Sequence, residues 1–166
     1  MKVEYLQTQY QSPLGTLALF SDDSGLTGVY FPEHCPPPRE QNFVQGENEH
    51  TERAKVALED YFRTGTFAEL PPFSFPWGTE LQRAVWARLG EIAGGETMTY
   101  GALAAKVGRP KAVRAIGGAV GRNPISILNP CHRVIGSSGK LTGFAGGLER
   151  KKWLLEHEQT QLSLRF

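Results

Sequence analysis

The first thirty residues alternate apolar and polar positions with the period of a strand. In "VEYLQTQYQSPLGTLALFSDDSGLTGVYF" three β-rich runs are broken by Ser-Pro-Leu-Gly and Asp-Asp-Ser-Gly, which predicts an antiparallel meander. The next stretch, "PEHCPPPREQNFVQGENEH", loses the alternation and reads as a loop. The period then changes. Ala54, Ala57, Leu58, Tyr61 and Phe62 recur at helical spacing in "TERAKVALEDYFRTG", with Gly65 as the C-terminal stop. "LPPFSFPWGTE", with its prolines and no helical period, marks a boundary near residues 71 to 77.

Beyond that boundary the pattern is helical. Thr79 and Gln82 form a capping box, and Leu81, Val85, Leu89 and Ile92 repeat at helical spacing up to Gly94 and Gly95. Thr99 caps a short helix from Tyr100 to Val107, closed by Gly108. Pro110 suits the first turn of the next helix, "KAVRAIGGAVG", whose spacing buries Val113, Ile116 and Val120. The expected fold is α+β: a small N-terminal antiparallel-sheet domain with a helix over residues 1–76, then a mainly helical domain with a helix-turn-helix over residues 77–166.

Composition narrows the class. Of 166 residues, 40% are hydrophobic and 21% charged, ordinary for a soluble globular protein. No apolar run is long enough to span a bilayer, and "MKVEYLQTQY" lacks the apolar stretch of a signal peptide. The two cysteines, Cys35 and Cys131, are too few for a disulfide framework, and no Cys/His spacing suits zinc. A reduced, cytoplasmic protein without a metal or membrane partner is expected. Cys35, flanked by Pro36, reads as a loop thiol.

Charge adds a partner. Residues 1–76 carry a net charge of −6 and residues 77–166 a net charge of +7. From Thr97 to Leu148 there is no acid, while Lys106, Arg109, Lys111, Arg114, Arg122, Arg133 and Lys140 are all positive. A one-signed stretch fits a polyanion, since each neutralised phosphate releases counterions; a solvated basic surface is the plainer alternative. The second helix of the pair offers Ala112, Arg114, Ala115 and Gly118 on its outer face, which tips the reading towards DNA. Side chains this small allow close backbone approach but read few base edges, which points to the minor groove and little sequence specificity.

The chemistry concentrates in "SILNPCHRVIGSSGK", where Cys131 precedes His132. A cysteine is mostly protonated at neutral pH, so a reactive one needs a base or a positive neighbour. Consecutive residues on a helical turn do not face one another, so the imidazole would act on the thiol through a water. It would also need an acceptor on its far side, for which Glu149, Glu156 and Glu158 in "LERKKWLLEHE" are available. A buried cysteine beside a core histidine is the bland reading of such a dipeptide, and the upstream basic helix pair weighs against it.

"NPCHRVIG", preceded by "RAIGGAVGRNPI" and followed by "GKLTGFAGGLERKKWLLEHE", resembles the O6-alkylguanine-DNA alkyltransferases, with the match running from about Thr79 to Glu158. The resemblance implies that Cys131 accepts an alkyl group from O6 of a guanine in double-stranded DNA, once per molecule and without a cofactor. His132 would be the base acting through water, Glu158 would orient it, and Asn123 would brace the turn before the nucleophile. Tyr100 would bond the guanine and give it a proton. Arg114 would fill the space left by the extruded nucleotide. Thr99, Lys111, Ala112, Ala115, Gly118 and Arg122 would meet DNA, bound by a monomer through the minor groove. Val120, Val134, Phe144 and Ala145 would shape the base pocket. Four positions depart from the family pattern: Asn129 replaces an aliphatic residue, Phe144 and Ala145 replace tyrosine and serine, and Val113 replaces alanine. Asn129 needs a hydrogen-bond partner if buried. Two other classes compete: a lesion sensor that leaves Cys131 unmodified, and a cysteine hydrolase.

Overall fold

The computed structural model describes residues 4–32 and 43–164, so Cys35 lies outside the described residues. The chain is α+β and divides into two compact units: residues 1–76 with 124–128, and residues 77–123 with 129–166. The segment 124–128, which the sequence pattern grouped with the second half, thus joins the first unit. Among the described residues, no helix is long and apolar enough to cross a membrane.

In the first unit the meander forms strands β1 (Tyr5–Ser12), β2 (Gly15–Ser21) and β3 (Leu26–Tyr30), paired antiparallel in sequence order. A fourth strand, β4 (Phe43–Gln45), pairs parallel with β1, so the sheet is mixed, in the order β3-β2-β1-β4. Three residues are too few to show an alternation, which is why this segment reads as loop in the sequence. The outer edge of β3 is covered: Leu26 bridges Phe73, and Val29 bridges Ile125. The proline-rich boundary segment is therefore docked backbone, with Leu26 donating to the Pro72 carbonyl at 2.8 Å. Gly25 is needed there, because a Cβ would collide with that carbonyl.

Helix α1 (Glu49–Thr64) packs Ala54, Ala57, Leu58 and Tyr61 inward and ends at Gly65, whose φ of 78° is left-handed. It starts two residues earlier than its apolar pattern suggests, because Asn48 and Thr51 form a capping box.

The second unit begins with α2 (Glu80–Leu89), capped by Thr79 and Gln82. The helix stops at Gly90, and Ile92 is buried from the turn that follows rather than from the helix. Strand β5 (Met98–Thr99) leads directly into α3 (Tyr100–Lys106), and a turn leads on to α4 (Val113–Gly121). Pro110 lies in that turn, outside the helix: the Ala112 amide donates to the Arg109 carbonyl at 2.9 Å, placing Pro110 second in a β-turn. Ile116, Ala119 and Val120 are buried, whereas Val113, at the first helical position, is 40% exposed. Trp86 ties α2 to α4 by donating from Nε1 to the Ala119 carbonyl at 2.8 Å. The unit closes with strand β6 (Val134–Ile135) and α5 (Leu148–Ser163).

Candidate active site

Cys131 opens a 3-10 turn, Cys131–Arg133, directly after Pro130 and directly before β6. β6 pairs parallel with β5, Met98 against Val134 and Thr99 against Ile135. Because α3 starts where β5 ends, this short ladder fixes Tyr100 in relation to the cysteine turn. The cysteine is 5% exposed. Burial pushes its thiol above the ordinary range, opposed by a hydrogen bond from the Asn123 side chain and by the charge of Lys151.

Asn123 and Asn129 lock the approach to this turn. Asn123 donates to the Asn129 carbonyl at 2.9 Å, while the Asn129 amide donates to the Trp86 carbonyl at 3.1 Å and to Asn123 Oδ1 at 3.2 Å. Asn129 thus has the partners its burial demands.

His132 is fully buried and reaches Glu158 Oε1 through Nε2 at 2.6 Å. Arg133 holds the same carboxylate with Nε and Nη2, each at 3.0 Å, and spends Nη1 on the Ile92 carbonyl at 2.7 Å. Burial alone would raise the Glu158 carboxyl, but His132 and Arg133 together bring it down to about 2. Glu158 is therefore an acceptor only, so Nε2 carries the hydrogen and the imidazole presents its lone pair at Nδ1. Burial pulls His132 below its ordinary range against the pull of Glu158, which leaves the ring neutral and able to accept a proton at Nδ1. Of the three acids open to choice in the sequence, Glu149 and Glu156 are exposed. Arg133, counted in the sequence as part of a basic surface, is buried and paired inside.

The buried face of α5 consists of Lys151, Leu154 and Glu158. Lys151 escaped the sequence reading. The signal was there: Leu154 marks the inner face, and Lys151 and Glu158 sit three residues before and four after it. Its ammonium donates to the carbonyls of Val134 at 2.6 Å and Thr142 at 2.9 Å.

An open groove of about 490 Å³ is lined by Tyr100, Val113, Gly117, Gly121 and residues 142–145. This is within the roughly 300–1,000 Å³ of small-molecule sites. Tyr100 forms part of its wall and donates to the Thr142 carbonyl at 3.2 Å. Phe144 and Ala145 line it as well, whereas Val120 and Val134 are buried and are not among its lining residues. Both main-chain groups of Val134 are already engaged, its amide with Cys131 and its carbonyl with Lys151. Cys131 is not a lining residue either. A second groove of about 470 Å³, on α1 and lined by Glu52, Arg53, Val56, Asp60, Ala68 and Glu69, carries none of this chemistry. Among the described residues, no group of three or more His, Cys, Asp and Glu is arranged to hold a metal.

Arg114, Ala115 and Gly118 are exposed on α4, as are Lys111 just before it and Arg122 at its C-cap; Ala112 is half-buried at the N-cap. Thr99 uses its hydroxyl to accept the Ala102 amide at 3.1 Å and so caps α3.

Residues 80–160 match the family described as 6-O-methylguanine DNA methyltransferase, DNA binding domain. The DNA complex of Mycobacterium tuberculosis OGT is similar in structure, with a TM-score of 0.82 and 40% identity over 95% of this chain and 94% of that one. A structure of the Mycobacterium tuberculosis O6-methylguanine methyltransferase has a TM-score of 0.80 and 38% identity, covering 99% of both chains. The methylated-DNA–protein-cysteine methyltransferase of Methanosarcina acetivorans is 44% identical over 90% of this chain and 95% of its own. The Haemophilus influenzae protein of the same name is also 44% identical, over 92% of this chain and 85% of its own. With likeness of this extent running through both units, the chain belongs to the methylated-DNA–protein-cysteine methyltransferase family.

Proposed function

We propose that this protein repairs double-stranded DNA by transferring the alkyl group of O6-alkylguanine to Cys131, one lesion per molecule, acting as a monomer on the minor groove. The observation that carries the reading is the buried relay: a cysteine on a tight turn, followed by a histidine whose far nitrogen is held by the Glu158 carboxylate at 2.6 Å. A thiol kept free for such chemistry suits a reducing compartment, the cytoplasm.

The O6 group lies inside the duplex, so the nucleotide must swing out before a fixed sulfur can reach it, at a cost of a few kcal/mol. Arg114, exposed on α4, takes the vacated space, and the open groove beside Tyr100 receives the base. His132 removes the thiol proton through a water. The sulfur attacks the alkyl carbon, the carbon–oxygen bond breaks, and its electron pair leaves with the guanine. Tyr100 protonates the ring as negative charge builds there. One proton leaves the thiol and one joins the base, so the step balances without a co-reactant. Nothing in the site removes a thioether, so the protein is consumed.

The test is stoichiometric. Incubation with duplex DNA containing O6-methylguanine, followed by digestion and mass analysis, is expected to show one methyl increment on the Cys131 peptide and an end to repair at one equivalent. An unmodified Cys131 peptide after lesion binding, or many turnovers, overturns the reading.

Salt tests the DNA surface separately. Neutralising Lys111 or Arg122 to glutamine is expected to reduce the slope of log affinity against log salt by about 1, as the loss of one phosphate contact does. An unchanged slope in both variants removes these residues from the interface.

A further inference from the structure

Asn129 is buried, at 2% exposure, and works with both its side chain and its backbone. The side-chain amide donates to the Trp86 carbonyl at 3.1 Å and to Asn123 Oδ1 at 3.2 Å. The main-chain carbonyl accepts the Asn123 Nδ2 amide at 2.9 Å and the Cys131 amide at 2.8 Å. The bond from Cys131 closes a turn around Pro130, whose φ of −79° and ψ of 67° are those of an inverse γ-turn. The two bonds with Asn123 are reciprocal. The Asn123 amide therefore cannot turn over without setting oxygen against oxygen and N–H against N–H. Both anchors also bond α4. Trp86 lies in the last turn of α2, where an α-helix leaves its carbonyls to outside donors, and its indole donates to the Ala119 carbonyl at 2.8 Å. Asn123 donates from its main-chain amide to the Val120 carbonyl at 3.1 Å.

We propose that Asn129 is a positioning residue for alkyl transfer: its side chain bolts the turn that carries Cys131 to Trp86 and Asn123, the same two residues that bond α4. This rests on the reading of Cys131 as the alkyl acceptor and of α4 as the helix on DNA. In that reading the lesion is placed by α4 and the sulfur by the turn, so the reaction depends on a fixed distance between them. A misplacement of about 1 Å costs a transfer of this kind roughly 10²-fold. A buried network of amides that satisfy one another holds a single arrangement, and Asn129 extends that arrangement from α4 to the nucleophile. Asn129 touches neither the alkyl carbon nor the base. It acts through the backbone of Cys131.

Asn129→Leu keeps the volume and removes both side-chain donors. Hydrogen exchange, followed by NMR without DNA, reads the turn. The Cys131 amide is expected to exchange faster in the variant, by a factor about tenfold larger than any change at the Leu58 amide in α1, which reports global opening. Single-turnover transfer from duplex DNA containing O6-methylguanine reads the role. The rate at saturating DNA is expected to fall about tenfold or more, with the half-saturating concentration within about twofold of the wild type. A merely less stable fold would reduce the amount of protein that reacts, not the rate of the molecules that do. A Cys131 amide that keeps its protection, or an unchanged saturated rate, overturns the proposal. If the variant does not fold, the wild type still answers. The side-chain amide hydrogens of Asn129 are expected to exchange at least about tenfold more slowly than those of free asparagine, and exchange at the free rate overturns the proposal. No transfer by the wild type would overturn the function and this role with it, whereas transfer by both proteins at one rate overturns the role alone.

Discussion

Glu158→Ala is expected to lose about 3–5 kcal/mol of stability, the range for breaking a buried ion pair from one side. Among the described residues the carboxylate is the one anion that Arg133 meets, and it also fixes the imidazole. Without it a buried guanidinium keeps only the Ile92 carbonyl, and His132 loses the acceptor that sets its tautomer. Urea unfolding at neutral pH measures the loss, and a change below about 1 kcal/mol would mean that the network carries little stability. Acid gives an independent view through Glu158→Gln. The folded carboxyl stands at about 2 against an ordinary 4.5, so the unfolded chain takes up its proton first as pH falls. The contribution, roughly 3 kcal/mol, is present above pH 4.5 and disappears towards pH 2. Wild-type stability should therefore fall more steeply across that window than that of Glu158→Gln.

His132→Gln is expected to slow transfer by about 10²–10⁴-fold, the usual worth of a positioned general base. Glutamine can still donate to Glu158, but it cannot accept the thiol proton at neutral pH. The pH profile separates this role from a structural one. Since burial holds His132 below its ordinary range, the wild type keeps its base in hand through neutral pH and loses rate only in acid. Without the base, the rate should climb with pH as the thiol, pushed up by burial, ionises unaided. Single-turnover rates across pH measure both; an unchanged profile would take the proton-transfer role away from His132.

Local signals made much of this fold legible in the sequence. Side-chain caps at Thr79 and Thr99 and the left-handed Gly65 act within one turn, so a short window of sequence contains them. The Cys-His pair and a carboxylate on the last helix were legible too, because their chemistry constrains residue type. What stayed hidden depends on distant chain. Val113 fits an apolar stripe, yet it stands at the groove because α4 begins with it. Pro110 favours a helix start and a β-turn equally, and only the Arg109–Ala112 hydrogen bond decides. Arg133 looks like surface charge until Glu158 is folded against it. Of the two acceptors that the Asn129 side chain meets, the Trp86 carbonyl lies 43 residues away in the chain.

The borrowed segment 124–128 constrains how the protein is made. Val29 donates to the Pro124 carbonyl at 2.9 Å and accepts from the Ser126 amide at 3.1 Å, so the rim of the N-terminal sheet is finished by residues synthesised nearly a hundred positions later. On the ribosome this sheet cannot complete its hydrogen bonding before Ser126 has emerged. Expression of residues 1–76 as a separate fragment would leave Val29 permanently without those bonds.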